Sequence, residues 1–420
     1  MITASELRDS LLPGGVSRDQ LFTDPPIVAT EGAGPRFRDD RGRQYLDFVN
    51  NYTSLIHGHA HQPTVEAVIA QAHKGTAYGV PNELEVQLAE LLVSRLPSGE
   101  MVRFVNSGTE ATMLALQVAR HVTKRPRIAK FEGGYHGSHD LVRVSVKPHD
   151  GGDPLHPTAE DEAGDVGLGL TDILPFHDVA AAVEVARRRG SNWAALIVEP
   201  MQGSAGMLPA PNGLLEAMRE VADDRGFLLI LDEVMTFRIG GGGMQVESGV
   251  QPDITALGKI IGGGLPCGAV VGRRDLMEAL APPHPHRIAH AGTFNGNPLT
   301  MAAGLATMRE YTAEAARLLD ARGDALRTSL SRRLEPLGFT VTGTGSMMNI
   351  HASREAPRSW RDVRSSDRQL VLKLHHALRD RGIFVAPRGM ICLSTALTEV
   401  DISTLEEQVV DGANEVQREP

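Results

Sequence analysis

Two residues carry the first chemical signal. Asp232 lies in the apolar run LLILDEVMTFR, and Lys259 lies in the glycine-rich stretch LGKIIGGGLP a short way downstream. An apolar strand ending in a carboxylate, followed by a lysine in a turn of glycines, provides what pyridoxal-phosphate chemistry needs. The amine forms a Schiff base with the cofactor aldehyde. The carboxylate keeps the pyridine nitrogen protonated, so that the ring accepts electrons from a substrate carbanion. Either residue alone says little; with a phosphate cradle upstream, the two set the reading.

That cradle is SGTEATMLALQVAR (107–120), placed after a strand and opening a helix. Ala111, Leu114, Ala115, Val118 and Val122 recur at helical spacing and define the expected buried face. This aims Ser107, Gly108 and Thr109 at the helix N-terminus, where free amides and the helix dipole favour a phosphate. Taken alone, the segment is better explained as a serine N-cap with Glu110 in the first turn. The downstream aspartate and lysine reverse that preference. In FEGGYHG, Tyr135 falls just past a strand end. Such a tyrosine is ordinarily a core residue, but in a cofactor pocket its ring would stack on the pyridine face. The stretch KIIGGGLPCGA is not a nucleotide P-loop, because no serine or threonine follows the lysine. The histidine groups HGHAH (57–61) and HPHRIAH (284–290) lack a carboxylate or cysteine partner at fixed spacing, so no metal is expected.

The elements that must hold these groups follow a regular rhythm. From Val102 onward, strand, glycine-rich turn and helix alternate through MVRFVN, RIAKFEG, AALIVEP and FLLILDE. This is the pattern of a mostly parallel sheet covered by helices on both faces, with sites at the carboxyl ends of strands. Before it, residues 27–49 predict a small antiparallel sheet with turns at Gly32–Gly34 and Asp40–Gly42. The first residues, TASELRDSL, predict a short capped helix, and an irregular arm follows. Between Val146 and Leu174 the chain is irregular and acidic, and is read as a lid rather than plain disorder. After Pro298 the pattern predicts one long helix to about Arg322, and 325–420 reads as α+β.

With 420 residues the chain is long enough for two domains. Its apolar share of 41% and charged share of 22% are ordinary for a globular protein. A net charge of −10 argues against general nucleic-acid affinity and offers no basic face to an anionic membrane. The most apolar run, GFLLIL (226–231), is too short to span a bilayer. Two cysteines without a CxxC pair, and a start without a secretory signal, point to the reducing cytoplasm.

The segments NSGTEA, FEGGYHG, VEP, DEVMT, PDITALGKIIGGGLPCGA, GTFNGNP and PRGM, in this order, give the chain a family likeness. It resembles a class III, fold-type-I pyridoxal-phosphate aminotransferase, in the branch that holds glutamate-1-semialdehyde aminomutase and the β-amino-acid aminotransferases. The resemblance implies an α/β fold: a large domain with a mostly parallel central sheet flanked by helices, plus a small α+β domain from the N- and C-terminal segments. Residues 1–60 would be the arm and part of the small domain, 61–300 the large cofactor domain, and 301–420 the rest of the small domain. It also implies roles. Ser107, Gly108 and Thr109 hold the phosphate of pyridoxal 5'-phosphate; Tyr135 and Val234 cover its two faces; His136 and Glu199 line the ring edge. Asp232 pairs with the pyridine nitrogen, and Lys259 is the Schiff-base lysine. Thr293 reaches the phosphate of a neighbouring subunit, so a homodimer with shared sites is implied. Arg18 in the PGxxSR segment and Arg388 in PRGM would grip substrate carboxylates through paired hydrogen bonds; a lone arginine is otherwise a surface ion pair.

The branch is read from departures. The aminomutase reads DEVMTGFR where this chain has DEVMTFR, and GTLSGNP where it has GTFNGNP; its small-residue lid is not recognisable in the acidic 150–170 loop. The expected activity is therefore a ping-pong transaminase for amino-acid and keto-acid substrates, with a β-amino acid as donor and 2-oxoglutarate as acceptor. An aminomutase or epimerase is the alternative. A catalytically silent fold is disfavoured by the intact lysine, aspartate and cradle.

Overall fold

The computed structural model describes residues 11–17, 27–149, 152–160, 166–283 and 286–418. The expected N-terminal helix and Arg18 lie outside the described residues. Three short strands open the fold: β1 (Ala29–Ala33), β2 (Arg36–Asp39) and β3 (Gln44–Asp47), paired antiparallel in sequence order. Their reversals fall where the sequence places them, with Gly34 at φ +55° and Gly42 at φ +81°, a region that glycine enters without penalty.

Seven strands build the central sheet. Four precede a short hairpin: β4 (Met101–Val105), β5 (Arg127–Phe131), β6 (Thr171–Leu174) and β7 (Trp193–Val198). The hairpin is β8 (Met201–Gln202) with β9 (Leu208–Pro209). Then come β10 (Leu228–Asp232), β11 (Ile254–Gly258) and β12 (Gly268–Gly272), in the sheet order β4-β12-β11-β10-β7-β5-β6. β12 runs antiparallel to both neighbours, and every other pairing is parallel. All six residues of β7 are buried, as expected of a strand with helices on both faces.

The helix Gly108–Thr123 packs on this sheet through Ala111, Leu114, Ala115, Val118 and Ala119. Val122, assigned to the same face from its spacing, is instead 39% exposed in the final turn, beyond the packed stripe. The single helix expected after Pro298 is two, Pro298–Glu310 and Ala313–Leu334. Thr312 stands extended between them and caps the second by accepting the Ala315 N–H at 3.1 Å. The phenol of the fully buried Tyr311 donates to the Arg238 carbonyl at 2.6 Å and pins the break.

The C-terminal strands are β13 (Thr340–Thr344), β14 (Met347–His351), β15 (Ile383–Phe384) and β16 (Met390–Cys392). β13, β14 and β16 form one antiparallel sheet, while β15 runs parallel to β3 and adds a fourth strand to the first sheet. Chain ends far apart in sequence are therefore stitched together. Of the 150–170 region, residues 150–151 and 161–165 lie outside the described residues. Its nearer flank is held by the Trp360 indole N–H donating to the Pro148 carbonyl at 3.1 Å. The HGHAH histidines serve packing: His57 Nδ1 meets the Thr395 hydroxyl at 2.6 Å, and His59 Nε2 meets Asp47 Oδ2 at 2.8 Å.

Two of the four histidines that burial pushes down to about 4 help set an acid limit from the C-terminal half. His351 and His375 are buried in the C-terminal half, and burial pushes each down to about 4. Below pH 6.5 the unfolded chain takes up these protons while the folded chain refuses them until about pH 4. Stability should accordingly fall as pH drops through this window, by about 1.4 kcal/mol per pH unit for each histidine. Melting curves between pH 7 and 4 check it: replacing both by glutamine should flatten the slope.

Candidate active site

Five strands of the central sheet end at one place. Asn106 follows β4, Glu132 follows β5, Glu199 follows β7, Asp232 closes β10 and Lys259 follows β11. A cavity of about 400 Å³ opens there, where open parallel sheets place ligands. Ser107, Gly108, Thr109, Tyr135 and His136 line it, with Glu199, Asp232, Val234, Lys259 and Arg388.

Lys259 reaches the cavity through an unusual backbone. It has φ +53°, a left-handed conformation that costs a non-glycine residue of order 1–3 kcal/mol. The following Gly263, at φ +59°, presses on the helix Pro298–Glu310; a Cβ there would sit 2.4 Å from the Ala303 carbonyl oxygen. Burial pulls the Lys259 amine down to about 8, against the attraction of Asp232 and Glu199. Its amine is thus a base near neutral pH.

Asp232 is buried at the tip of β10 and holds two partners. Its Oδ1 accepts the Val234 N–H at 3.1 Å, and its Oδ2 lies 2.9 Å from His136 Nδ1. Burial lowers the His136 pKa despite that carboxylate, so the neutral ring donates from Nδ1 to Asp232. Its Nε2 is then a buried acceptor with no hydrogen-bond partner among the described residues. Glu199 accepts the Tyr135 N–H at 2.8 Å and the Gly203 N–H at 3.1 Å, which fixes the loop bearing Tyr135. Burial raises the Glu199 pKa, and the neighbouring negative charge of Asp232 raises it further.

The third group is the start of the helix Gly108–Thr123. The Ser107 hydroxyl caps it by accepting the Glu110 N–H at 3.1 Å. The amides of Gly108 and Thr109 have no acceptor within the helix. A Cβ on Gly108 would lie 2.9 Å from Val234 Cγ1, and one on Gly137 would lie 2.6 Å from the Thr109 hydroxyl oxygen. Both glycines are required by close approach.

The sequence did not point to Tyr52, which also lines the cavity. It belongs to a turn of four successive left-handed residues, Asn50, Asn51, Tyr52 and Thr53, at φ 49°, 49°, 53° and 75°. The pair Asn50–Asn51 was the available cue, since asparagine tolerates this conformation better than most residues. Tyr52 supports Arg388, whose guanidinium stands 5.9 Å from the ring centroid. Arg388 Nη2 lies 3.3 Å from the Met390 sulfur, and its buried Nε has no hydrogen-bond partner. Among the described residues no carboxylate lies within salt-bridge distance of Arg388. Ser17 reaches the cavity, whereas its neighbour Arg18 lies outside the described residues. Thr293 is exposed and does not line the cavity of its own chain.

The expected cofactor fits this donor set. An amine and a carboxylate face one cavity, two free helix amides can take a phosphate, and the orphaned His136 Nε2 can accept a proton donor from the cofactor.

Comparison with known proteins agrees. Residues 19–407 match the family described as Aminotransferase class-III. A glutamate-1-semialdehyde 2,1-aminomutase from Methanothermobacter thermautotrophicus is 41% identical over 96% of this chain and 97% of its own length. Among solved structures, an omega-transaminase from Sphaerobacter thermophilus superposes with a TM-score of 0.93 at 41% identity, covering 98% of this chain and 96% of that one. A beta-phenylalanine aminotransferase from Variovorax paradoxus gives 0.90 at 37% identity, covering 97% and 92%. The chain belongs to the class-III aminotransferases, fold-type-I enzymes that work with pyridoxal 5'-phosphate.

Proposed function

We propose that this enzyme is a transaminase that moves an amino group between a carboxylate-bearing amino acid, a β-amino acid, and a keto acid such as 2-oxoglutarate. The observation that carries the reading is Arg388: a guanidinium facing the same cavity as Lys259, with no carboxylate of the described residues within salt-bridge distance and Glu199 acting on it only from further off. A substrate carboxylate completes it through paired charge-assisted hydrogen bonds. One arginine site can serve donor and acceptor in turn, with Arg18 as a second grip from the N-terminal arm.

Bound pyridoxal 5'-phosphate supplies an electron sink for the carbon that bears the substrate nitrogen. The protein does the rest. Ser107, Gly108 and Thr109 hold the phosphate, and Tyr135 and Val234 enclose the ring. His136 and Glu199 line its edge, while Asp232 keeps a proton on the ring nitrogen. Lys259 Nζ would hold the cofactor aldehyde at rest. Once freed by the substrate amine, Nζ would be placed to take up and hand back the proton of the carbon that bears the nitrogen. In a homodimer, Thr293 of one copy would reach the phosphate bound by the other; its exposure, beside Phe294 at 61% exposed, supports that arrangement. The buried free thiols of Cys267 and Cys392 suit the cytoplasm. Among the described residues no helix is long and apolar enough to cross a membrane.

The 41% identity to an aminomutase supports a second reading, in which nitrogen moves within one molecule. One experiment separates them. The yellow enzyme is mixed with α-, β- and ω-amino acids in turn, and loss of colour is followed before and after adding 2-oxoglutarate. Bleaching by β-amino acids with recovery on 2-oxoglutarate is the expected result. Recovery without any acceptor would establish the isomerase.

A further inference from the structure

Arg388 meets the cavity with only part of its guanidinium. Its Nε is closed to solvent and has no hydrogen-bond partner among the described residues. A nitrogen that water does not reach is also out of reach of a substrate carboxylate, so paired binding falls to the two Nη nitrogens. The Nε–H then needs an acceptor from the protein, because a buried polar group left without a hydrogen bond destabilises its surroundings.

An acceptor in the complementary state sits against the same residue. Asn349, on β14, is buried, and its Oδ1 likewise lacks a partner among the described residues. Its Nδ2 donates to the Arg388 carbonyl at 3.0 Å and to the Ile350 carbonyl at 3.0 Å. The amide is thus tied to the backbone of the residue whose Nε is short of an acceptor. That backbone is firmly set. The Gly389 N–H closes a turn onto the Ala386 carbonyl at 2.8 Å, and the Ile350 N–H donates to the Gly389 carbonyl at 3.0 Å. A Cβ on Gly389 would collide with the Ile350 carbonyl oxygen. An apolar side chain at 349 would fill the strand without stranding an acceptor, so a task linked to Arg388 accounts for the asparagine better than packing does.

We propose that Asn349 is a positioning residue for the carboxylate grip: Nδ2 fixes the Arg388 backbone, and Oδ1 takes the Nε–H when a substrate carboxylate draws the guanidinium into place. Both Nη nitrogens of the fork then face the substrate. Asn349 does not line the cofactor cavity, so it acts through Arg388 alone. The proposal rests on the reading of Arg388 as the carboxylate ligand and adds the group that orients it.

The test is a double-mutant cycle on the holoenzyme, with kinetics for β-phenylalanine and 2-oxoglutarate. Asn349→Leu nearly keeps the volume and removes the amide. It should raise KM for both carboxylates about 10-fold, the scale of one hydrogen bond to a charged group. It should move kcat by less than about 3-fold, as expected when ground state and transition state lose the same contact. Calorimetric binding of 3-phenylpropanoate, which has no amine to react, should weaken by the same factor. Cofactor affinity and the colour of the bound cofactor should stay at their wild-type values. Arg388→Met should raise both KM values further, and in that background Asn349→Leu should add less than about 2-fold, because the residue it serves is gone. Where turnover is too slow, the same cycle is read from 3-phenylpropanoate binding. An unchanged KM, a loss carried by kcat or by cofactor affinity, or effects that multiply in the double variant would overturn the proposal. Asn349→Ala repeats the cycle should the leucine variant misfold. Arg388→Met without effect on KM or binding is a separate outcome, in which the reading of Arg388 itself has failed.

Discussion

Lys259→Ala should reduce transamination by at least ~10³-fold, because one side chain performs two tasks. On the mechanism proposed above, the amine anchors the cofactor and later moves the proton, and general base catalysis alone contributes roughly 10²–10⁴-fold. Burial, which draws the amine down to about 8, makes it deprotonated often enough to act near neutral pH. Borohydride treatment of wild type should fix the cofactor to the peptide containing residue 259, as read by mass spectrometry. The alanine variant should show no fixation there but keep its fold, since the left-handed turn is held by Gly263 packing on the helix Pro298–Glu310 rather than by the amine. Fixation at a different lysine would remove the basis of the mechanism.

Asp232→Asn should lower kcat by roughly 10²–10³-fold, the usual loss when one preorganised electrostatic group is removed. Asparagine keeps the volume and can still meet His136, so the change isolates the negative charge. Two readouts distinguish this from mere disorder. Cofactor affinity should fall less than kcat, because the phosphate cradle proposed at Ser107–Thr109 is untouched. Glu199 should also titrate lower, since repulsion by Asp232 is one cause of its raised pKa; burial, the larger cause, remains. A pH–rate profile whose acidic limb does not move would contradict that electrostatic link.

The parts of the site that sequence made legible are those tied to local rules. A strand end followed by Ser-Gly-Thr announces a helix N-terminus, and Gly34 and Gly42 announce reversals. Asp232 and Lys259 stand out because an apolar run ends in each case in a group that apolar surroundings penalise. Less was legible where the determinant is long-range. The break at Tyr311–Thr312 depends on a tyrosine reaching Arg238 from a distant segment, and helical periodicity carries straight through it. The pairing of β3 with β15 joins residues 46–47 to 383–384, which no local pattern encodes. Tyr52 was overlooked for the same reason: its place in the cavity depends on backbone handedness, not on side-chain spacing.

That handedness has a consequence of its own. Proteins built from L-residues usually lose order when one is swapped for its mirror image. Around Asn51 and Tyr52 the backbone already follows the path that D-residues favour, at a cost of roughly 1–2 kcal/mol for each natural residue. A semisynthetic enzyme with an inverted stereocentre at position 51 should therefore melt higher than its all-L counterpart.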